Sequence, residues 1–409
     1  MSLIKTLNMG LRSIKEIYVI GHGPSSSHTM GPYFAAQYII NKYKDKDIKK
    51  VEVTLYGSLA LTGKGHLSDE ILKLGLKDYV NEVYFDFKTK KKHPNTMVFN
   101  VHTSHGTFKE TVASIGGGSI LTKDNAKSFT SEALYPHKYM REIVSYCKEH
   151  DMSLYDYVKV FDEEDCEAYC AKVLRVMDQA VERGLFAEGY LPGTLKVKRK
   201  AKSMYEQMVN TEHSVFDVSM NVAIHSFAVA EENAAGGIIV TAPTCGSAGV
   251  IPGCVQYLRM KGVNDHNIIR GLMVAGLFGM VCKTNASVSG AEAGCQAEIG
   301  VASSMAAGMI AFCFGKSIED TVQAAEIALE HSLGLTCDPV EGYVQIPCIE
   351  RCAVYAMKAI NAVKLAIVIP NDDIHVSYDN SIKTMMKTGK DMNKKYKETS
   401  LGGLAEIIK

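Results

Sequence analysis

The chain has no excess of charge of either sign. Lysine plus arginine and aspartate plus glutamate each number 45 among 409 residues, so the formal net charge is zero. Nucleic-acid-binding proteins usually carry a basic excess, and its absence argues against that class. Hydrophobic residues make up 46% of the chain and charged residues 22%, which is ordinary for a soluble globular enzyme. We therefore expect a soluble protein without a nucleic-acid partner.

The chain also lacks a recognisable secretory signal and a convincing membrane span. Charges are scattered through the first twenty residues, with no uninterrupted apolar region and no small-residue cleavage site. Residues 233–258 are interrupted by Pro243, Pro252 and several glycines, and residues 299–315 fall short of the ~20 residues that a span needs. Eleven cysteines without compact spacing fit reduced thiols, some of them on a metal. We expect a cytoplasmic protein with no membrane partner.

No internal repeat and no low-complexity segment divides the chain, but its patterning changes along its length. Strand patterns occur at residues 51–56, 82–87, 97–103 and 108–115, and helical patterns at 31–44, 68–74 and 137–149. After a short acidic stretch at 161–167, strand signals nearly vanish and glycine-punctuated helices follow. The sequence predicts an α+β N-terminal domain at 1–155, followed by a mostly α-helical catalytic domain at 165–409.

Three cysteines lie among small or conformationally special residues. Cys295, Cys337 and Cys348 occur in GAEAGCQAEIG, GLTCDPVEG and VQIPCIER. A cubane iron–sulfur cluster takes four ligands, so three thiolates would leave one iron open to substrate. An open iron suits Lewis-acid chemistry rather than electron transfer. Widely spaced cysteines are more often inert core residues, and spacing alone leaves both interpretations open.

A serine-rich loop, GPSSSHTMGP, directly precedes a predicted helix. Free backbone N–H groups at a helix start, together with the hydroxyls of Ser25, Ser26, Ser27 and Thr29, predict an anion site that a substrate carboxylate would fit. The plainer interpretation is a turn with a helix cap at Ser27 or Thr29. His28, inside this loop, has the pKa of a proton carrier near neutral pH.

A second short motif, TGKGH, follows a predicted strand and contains Lys64 and His66. Its two glycines allow another backbone to approach closely. Taken alone, such a turn is more often a solvated loop than a functional site.

Several longer motifs carry a resemblance to a known family. The two motifs above occur with TAPTCGSAGVIP, NASVSGAEAGCQAEIGVASSMAAG, CDPVEGYVQIPCIER and TGKDMNKKYKETSLGGLA, in one order from about Ile14 onward. This set resembles the iron–sulfur-dependent L-serine dehydratases, in their single-chain form. The resemblance implies a [4Fe-4S] cluster on Cys295, Cys337 and Cys348. It also implies conversion of L-serine to pyruvate and ammonia, amino acid degradation feeding gluconeogenesis, and a homodimer.

The resemblance assigns expected roles to the remaining site residues. His66 is the first candidate for the base that removes the Cα proton, and His28 is the second. Lys64 would pair with the substrate carboxylate or stabilise developing negative charge. Asn285 and Ser287, just before the first cluster cysteine, are expected to bind substrate.

The residues around the cysteines suggest further contacts. Glu292 and Glu298 flank Cys295, and helix-surface charge explains them as well as a functional role does. We also expect Glu341 and Arg351 to form an ion pair that supports the cysteine loop.

Two positions depart from the family pattern, which usually has asparagine where this chain has Cys245 and Cys352. Neutral replacement is the favoured interpretation. Alternatively, Cys352, one helical turn after Cys348, would supply a fourth thiolate and block the open iron. The departures keep two alternatives open: a β-elimination lyase acting on cysteine or threonine, and a non-catalytic iron–sulfur sensor. A pyridoxal-phosphate lyase is a weaker alternative, because no persuasive cofactor-lysine loop is present.

Overall fold

The computed structural model of the chain describes residues 10–80, 82–124, 133–210, 217–370 and 374–408. An N-terminal α+β region with two small sheets is followed by a mostly helical region, which confirms the predicted fold class. The exact division into domains at residues 155 and 165 stays a prediction.

The strands form a five-stranded sheet and a separate two-stranded pair. Their bounds are β1 Ile20–His22, β2 Ile48–Tyr56, β3 Val83–Asp86, β4 Thr96–Thr103, β5 Gly106–Gly116, β6 Ser119–Leu121 and β7 Ile238–Val240. The larger sheet has the order β3-β2-β4-β5-β6, in which β2 and β3 run parallel and the other neighbours antiparallel. The four strands predicted from patterning correspond to β2, β3, β4 and β5.

The alternation in β2 explains how this sheet acquires a core. Val51, Val53 and Leu55 are buried, and the residues between them are half-buried. Successive side chains of a strand point to opposite faces, so these three share one face. Helices α1 (Gly31–Tyr43) and α3 (Ser68–Leu76) contribute Ile39 and Leu72 to the same hydrophobic cluster. The amphipathic pattern of the sequence therefore produces a sheet with helices packed on its apolar face.

The helices of the chain are numbered α1 to α16. In the N-terminal half they are α1 Gly31–Tyr43, α2 Ser58–Thr62, α3 Ser68–Leu76, α4 Met140–Glu149, α5 Leu154–Phe161, α6 Cys166–Phe186 and α7 Ala201–Val209. In the C-terminal half they are α8 Asp217–Ala234, α9 Val250–Met260, α10 Asp265–Asn285, α11 Gly290–Ala293, α12 Ile299–Cys313, α13 Ile318–Glu330, α14 Cys348–Val368, α15 Tyr378–Asp391 and α16 Leu404–Ile407. The three helices predicted in the first domain correspond to α1, α3 and α4.

Small residues let the central helices α10 and α12 pack closely. A Cβ added at Gly308 would lie 2.4 Å from the Phe278 ring, and one at Gly271 would lie 2.5 Å from the Cys313 sulfur. Real Cβ atoms do not approach other atoms that closely, so these positions accept only glycine without rearrangement. The glycine- and alanine-rich composition of this region is thus explained by close helix packing.

Strand pairing joins the N-terminal segment to the helical region. β1 pairs antiparallel with β7, with Ile20 opposite Val240 and His22 opposite Ile238. Met30, at the end of the serine-rich loop, packs in a small cluster with residues of the helical region that include Cys245. These contacts hold the serine-rich loop against the helical region.

Two described helices are long and apolar enough to cross a membrane by length and composition. They are α10 and the stretch Cys295–Cys313, and 72% and 89% of their most apolar windows are buried inside the protein. Burial of this extent is what core helices of a soluble protein show. The apolar run at 233–258, considered above, is divided among the end of α8, β7, a loop and the start of α9.

Candidate active site

The serine-rich loop folds into a short helical turn that leads directly into α1. Residues Ser26–Met30 form a π-helical turn, and the Ser25 hydroxyl accepts a hydrogen bond from the His28 N–H at 3.2 Å. The cap is therefore Ser25 rather than Ser27 or Thr29. The Thr29 hydroxyl accepts from the Ser25 N–H at 3.1 Å and donates to the His66 carbonyl at 2.8 Å. This last bond ties the loop to the TGKGH turn.

The two predicted histidines lie side by side. The ring centroids of His28 and His66 are 4.9 Å apart, and both side chains are buried. The Nδ1 atom of His28 lies 2.8 Å from the Ser27 hydroxyl, and its Nε2 atom lies 2.9 Å from the Ser58 hydroxyl. Burial, and secondarily the neighbouring His66, lower the pKa of His28 to about 3. His28 is therefore neutral, and both its nitrogens are engaged by hydroxyl groups.

His66 has a different hydrogen-bond arrangement. Its Nδ1 atom lies 3.0 Å from the Thr62 carbonyl oxygen, which can only accept, so Nδ1 carries the proton of the neutral ring. Burial lowers the pKa of His66 below its usual value. The neutral ring consequently has its lone pair on Nε2. Of the two histidines, His66 has the arrangement that a general base requires.

Lys64 lies on the outer side of the same turn. The residue is exposed, and its ammonium is 5.5 Å from the centroid of the Phe85 ring on β3. The structure thus directs Lys64 toward the sheet, while His66 is buried against His28. Its predicted role toward the substrate stays a prediction.

Two of the three cysteines converge on Glu298. The Cys295 and Cys337 sulfurs lie 3.9 and 3.8 Å from Oε2 of Glu298, and the three ligand atoms all lie within 4.8 Å of one another. Gly290 makes room for this group, because a Cβ there would lie 2.3 Å from the same carboxylate oxygen. Glu298 therefore faces the cysteines instead of lying on a helix surface, whereas Glu292 is exposed.

Cys348 belongs to the same electrostatic environment. Burial, and then the charge of Cys295, raise the pKa of the Cys348 thiol well above its usual value. The pKa of Cys337 is raised by its hydrogen bond with Cys295 and by burial. The three thiols are close enough to influence one another, and a bound cation is what would allow them all to ionise.

The expected ion pair between Glu341 and Arg351 is wrong. Arg351 instead donates to Asp338 Oδ1 at 2.8 Å and to the Thr336 carbonyl at 3.0 Å. Glu341 has a left-handed backbone (φ +51°) and is exposed, and its carboxylate accepts from the Thr194 hydroxyl. Since Asp338 directly follows Cys337, the pair links the second cysteine to the helix that begins at the third.

The two cysteines that differ from the family pattern, Cys245 and Cys352, lie near the Cys295–Glu298–Cys337 group. The Cys352 sulfur donates to the Gly246 carbonyl at 3.4 Å, and burial raises the pKa of its thiol to about 12. Cys245 is buried, and burial followed by the charges of Glu298 and Glu398 raises the pKa of its thiol. Both are accommodated as protonated thiols, and Cys352 has a partner outside the Cys295–Glu298–Cys337 group.

Asn285 and Ser287 are held by local backbone contacts. Asn285 donates both amide protons, to the Lys138 carbonyl at 2.8 Å and to the Val281 carbonyl at 2.9 Å. The Ser287 hydroxyl accepts from the Ser289 N–H at 3.0 Å. Both residues order the segment that leads to Cys295, and their predicted contact with substrate is untested.

The loop at 339–346 connects the histidines to the cysteines. A Cβ on Gly65, beside His66, would lie 3.8 Å from the Gly342 carbonyl and 3.9 Å from the Tyr343 ring. The next residue, Val344, lies near Gly246, as does the Glu298 carboxylate. The His66 turn and the cysteine group therefore border one loop.

Sequence reasoning missed three residues of this region. They are Ser58, which contacts His28; Asp338, which pairs with Arg351; and Glu398, whose charge acts on Cys245 and Cys337. Ser58 follows Gly57 at the end of β2 in the YGS motif, so its strand-end position was the available signal. Nothing in the local sequence indicates that Glu398 points inward.

The donor set fits an iron–sulfur group. Cysteine sulfurs are the usual ligands of such clusters, and here buried cysteines with a carboxylate converge at one place. Burial raises the pKa of Glu298, and hydrogen bonds from Thr244 and Cys337 and the charge of Arg351 offset only part of that rise. A site so rich in potential negative charge is suited to a bound cationic group.

Comparison with known proteins bears on this geometry. Residues 47–405 match the sequence profile of the serine dehydratase alpha chain family. The chain is 39% identical to an L-serine dehydratase of Helicobacter pylori and 39% identical to L-serine dehydratase 2 of Escherichia coli, covering 97% of this chain and 99% of each relative. It is 37% identical to an L-serine dehydratase of Streptomyces coelicolor, with the same coverage. Similarity of this extent shows that the chain belongs to the serine dehydratase alpha chain family.

Proposed function

We propose that the protein is an L-serine dehydratase that converts L-serine to pyruvate and ammonia with a [4Fe-4S] cluster on Cys295, Cys337 and Cys348. The observation that carries the proposal is the placement of a buried, neutral histidine pair and a convergent cysteine group along one loop. The relatives named L-serine dehydratase over nearly their whole length support the same reaction.

The proposed cluster would perform one part of the reaction, and the protein's own residues must perform the rest. When bound through three thiolates, such a cluster offers an open iron that acts as a Lewis acid toward the substrate hydroxyl. The chain itself then has to bind the carboxylate and remove the Cα proton. Elimination gives aminoacrylate, which tautomerises and hydrolyses to pyruvate and ammonia.

The serine-rich loop is suited to binding the substrate carboxylate. The Ser25 hydroxyl already caps the His28 N–H, so a carboxylate would use the N–H groups of Ser26 and Ser27, which lie at the positive end of the helix dipole. The Ser26 and Ser27 hydroxyls are half-buried beside them. A carboxylate bound there would be next to the histidine pair, because His28 belongs to the same turn.

His66 is the base in this proposal. Its Nδ1 proton is held by the Thr62 carbonyl, so Nε2 is free to accept the Cα proton. His28 has hydroxyl groups on both nitrogens and acts as a positioning residue that packs against the His66 ring. Lys64 lies outside this contact and would assist only through its long-range charge.

The proposal is tested by anaerobic purification followed by iron and sulfide analysis and a pyruvate assay. Changing Cys295, Cys337 or Cys348 to alanine is expected to abolish both the brown colour and turnover. Cys313→Ser is the matched control, because Cys313 lies at the end of α12 and its sulfur contacts the Asn267 carbonyl. Turnover that survives all three single changes would contradict the cluster assignment.

The alternative substrates are tested in the same assay. L-cysteine and L-threonine are compared with L-serine in wild type and in Cys245→Asn and Cys352→Asn variants. A preference for L-serine that both variants keep would mean that the two cysteines are neutral replacements. A fourth thiolate from Cys352, as a sensor would need, is disfavoured by the bond of Cys352 to the Gly246 carbonyl.

We further propose that the enzyme is a cytoplasmic homodimer serving amino acid degradation and gluconeogenesis. Burial of both apolar helices is consistent with a soluble enzyme. Size-exclusion chromatography with light scattering would test the dimer.

A further inference from the structure

A lysine on α14 lies against the turn that follows α13. The Lys358 Nζ atom donates to the Ser332 hydroxyl at 2.7 Å and lies 4.7 Å from the centroid of the Tyr355 ring. Ser332 is buried, and its own hydroxyl proton is donated to the Ala328 carbonyl at 2.7 Å. Because that proton is already used, the Ser332 oxygen can only accept from Lys358. The turn therefore fixes the lysine nitrogen through a neutral acceptor.

Helix α12 packs against both parts of this arrangement. A Cβ on Gly300 would lie 2.7 Å from the Ser332 Cβ, so the helix backbone is in close contact with the turn. The Ser303 hydroxyl donates to the Tyr355 carbonyl at 2.9 Å, which ties α12 to α14 beside the lysine. Closely packed interiors resist displacement of their side chains. The nitrogen of Lys358 is consequently held among three helices, unlike that of an ordinary surface lysine.

Lys358 is half-buried and has no carboxylate partner. Burial lowers its pKa to about 8, and among the residues that the structure describes no acidic group offsets that effect. Burial also lowers the pKa of Lys283, but there the Glu16 carboxylate pairs with the ammonium at 3.0 Å. The two charged residues at the end of α13, Glu330 and His331, contact each other at 3.8 Å. The missing anion distinguishes Lys358 from Lys283.

An amine in this environment is a nucleophile. At pH 7.5, a lysine with a pKa of about 8 has a neutral fraction on the order of a hundred-fold larger than one with the usual pKa near 10.4. Acylation would remove a charge that has no anionic partner, and the remaining amide N–H could still donate to Ser332. Because the residue is only half-buried, a small reagent can reach it from solvent.

We propose that Lys358 is an acylation site, whose Nζ atom takes an acyl group from small acyl phosphates. The lone pair of the neutral amine attacks the carbonyl carbon and forms an N–C bond. The C–O bond to phosphate breaks, inorganic phosphate leaves, and the amine proton passes to solvent. A compact donor suits a nitrogen that Ser332 and the Tyr355 ring enclose on one side. The proposal does not depend on the reaction proposed above.

The test is a time course of the native protein with acetyl phosphate, read by peptide mass spectrometry. Lys364 is the matched control, because it lies on the same helix and is exposed. Accessibility alone would make Lys364 react first. We expect Lys358 to react about ten-fold faster at pH 7.5, because its larger neutral fraction outweighs the weaker nucleophilicity of a less basic amine. In protein unfolded with urea, the two rates should become equal.

A variant that adds a carboxylate tests the role of the missing anion. Val354→Glu places one at a 61% exposed position, four residues before Lys358 and on the same side of α14. It should slow acetylation of Lys358 by about two-fold or more, because the ion pair stabilises the protonated amine. Val368→Glu is the control, since it adds the same charge at a 72% exposed position far along the helix. It should leave the rate at Lys358 unchanged.

Three results would overturn the proposal. The first is a native rate at Lys358 that is equal to or below the rate at Lys364. The second is a ratio of the two rates that urea leaves unchanged, because the fold would then contribute nothing. The third is an equal effect of Val354→Glu and Val368→Glu, because the missing carboxylate would then not be the cause.

Discussion

The buried pair between Arg351 and Asp338 is expected to hold the cysteine site together. The side chains are only 16% and 5% exposed, so solvent screening does not cancel the interaction. Arg351→Met keeps the apolar stem but removes the bonds to Asp338 and to the Thr336 carbonyl. The Asp338 carboxylate would retain one backbone partner, the Leu404 N–H at 2.9 Å. The variant therefore leaves a buried charge without its cation.

The expected cost follows from these contacts. Removing one partner of a buried ion pair costs about 3–5 kcal/mol. We take about 3 kcal/mol, because the Leu404 bond still stabilises the remaining carboxylate. The entropy of unfolding is about 2 cal/mol/K per residue, so a chain of this length that unfolds as one unit would lose about 3–4 °C in Tm. Loss of bound iron on gel filtration should accompany it, because the pair joins the Cys337 loop to the helix that begins at Cys348.

The assay is a thermal melt of anaerobic protein together with iron analysis. Asp338→Asn and the double variant complete a cycle, in which the double variant should be less destabilised than the sum of the single ones. Glu341→Gln is the control, because Glu341 is exposed and contacts Thr194 instead. A Tm of Arg351→Met within about 1 °C of wild type would refute the reasoning, as would a Glu341→Gln variant as unstable as Asp338→Asn.

Three further predictions follow from the histidines and the Tyr343 loop. His66→Gln should lower kcat by about 10²–10⁴. Because burial lowers the pKa of His66, the acid limb of the wild-type kcat/KM profile should lie below pH 6.5. An acid limb above pH 6.5 would exclude His66 as the base. The pKa of His28 is about 3 in the folded protein and near 6.5 in the unfolded chain. Neutral His28 therefore contributes fully to stability above pH 6.5. As the pH falls from 6.5 toward 3, the free energy of unfolding decreases by up to about 1.4 kcal/mol per pH unit. Denaturant titrations should therefore show a shallower acid loss for His28→Asn, and equal slopes would contradict this. Gly193→Ala should raise KM and lower Tm more than Gly189→Ala. Both glycines have a positive φ, but only at Gly193 would the added Cβ clash, 2.5 Å from the Tyr343 ring. Equal effects of the two substitutions would show that backbone strain alone matters.

The sequence predicted the elements with clear periodicity and missed those that depend on distant partners. Strand β2 was evident because apolar residues alternate along it. The short strands β1 and β7 stabilise each other across more than two hundred residues, and neither three-residue segment has a pattern of its own. Long-range pairing of this kind is set by tertiary contacts that local propensity does not encode.

The candidate site shows the same limit. Motif order placed the histidines and cysteines in one enzyme, but spacing could not choose between Glu341 and Asp338 as the partner of Arg351. The left-handed backbone of Glu341 turns that residue to the surface, whereas Asp338 is buried beside the cysteine. The family resemblance put His66 ahead of His28, but the physical reason for that order required the Thr62 carbonyl, since only a hydrogen-bond partner fixes which nitrogen holds the proton.

The most direct test of the central claim is electron paramagnetic resonance on anaerobically purified protein, gently oxidised and reduced, with and without L-serine. We expect a cluster signal that changes when L-serine is added and stays unchanged with L-alanine, which lacks the hydroxyl. A signal indifferent to L-serine, or no cluster after careful reconstitution, would contradict the proposal that the cysteines hold a cluster that meets the substrate.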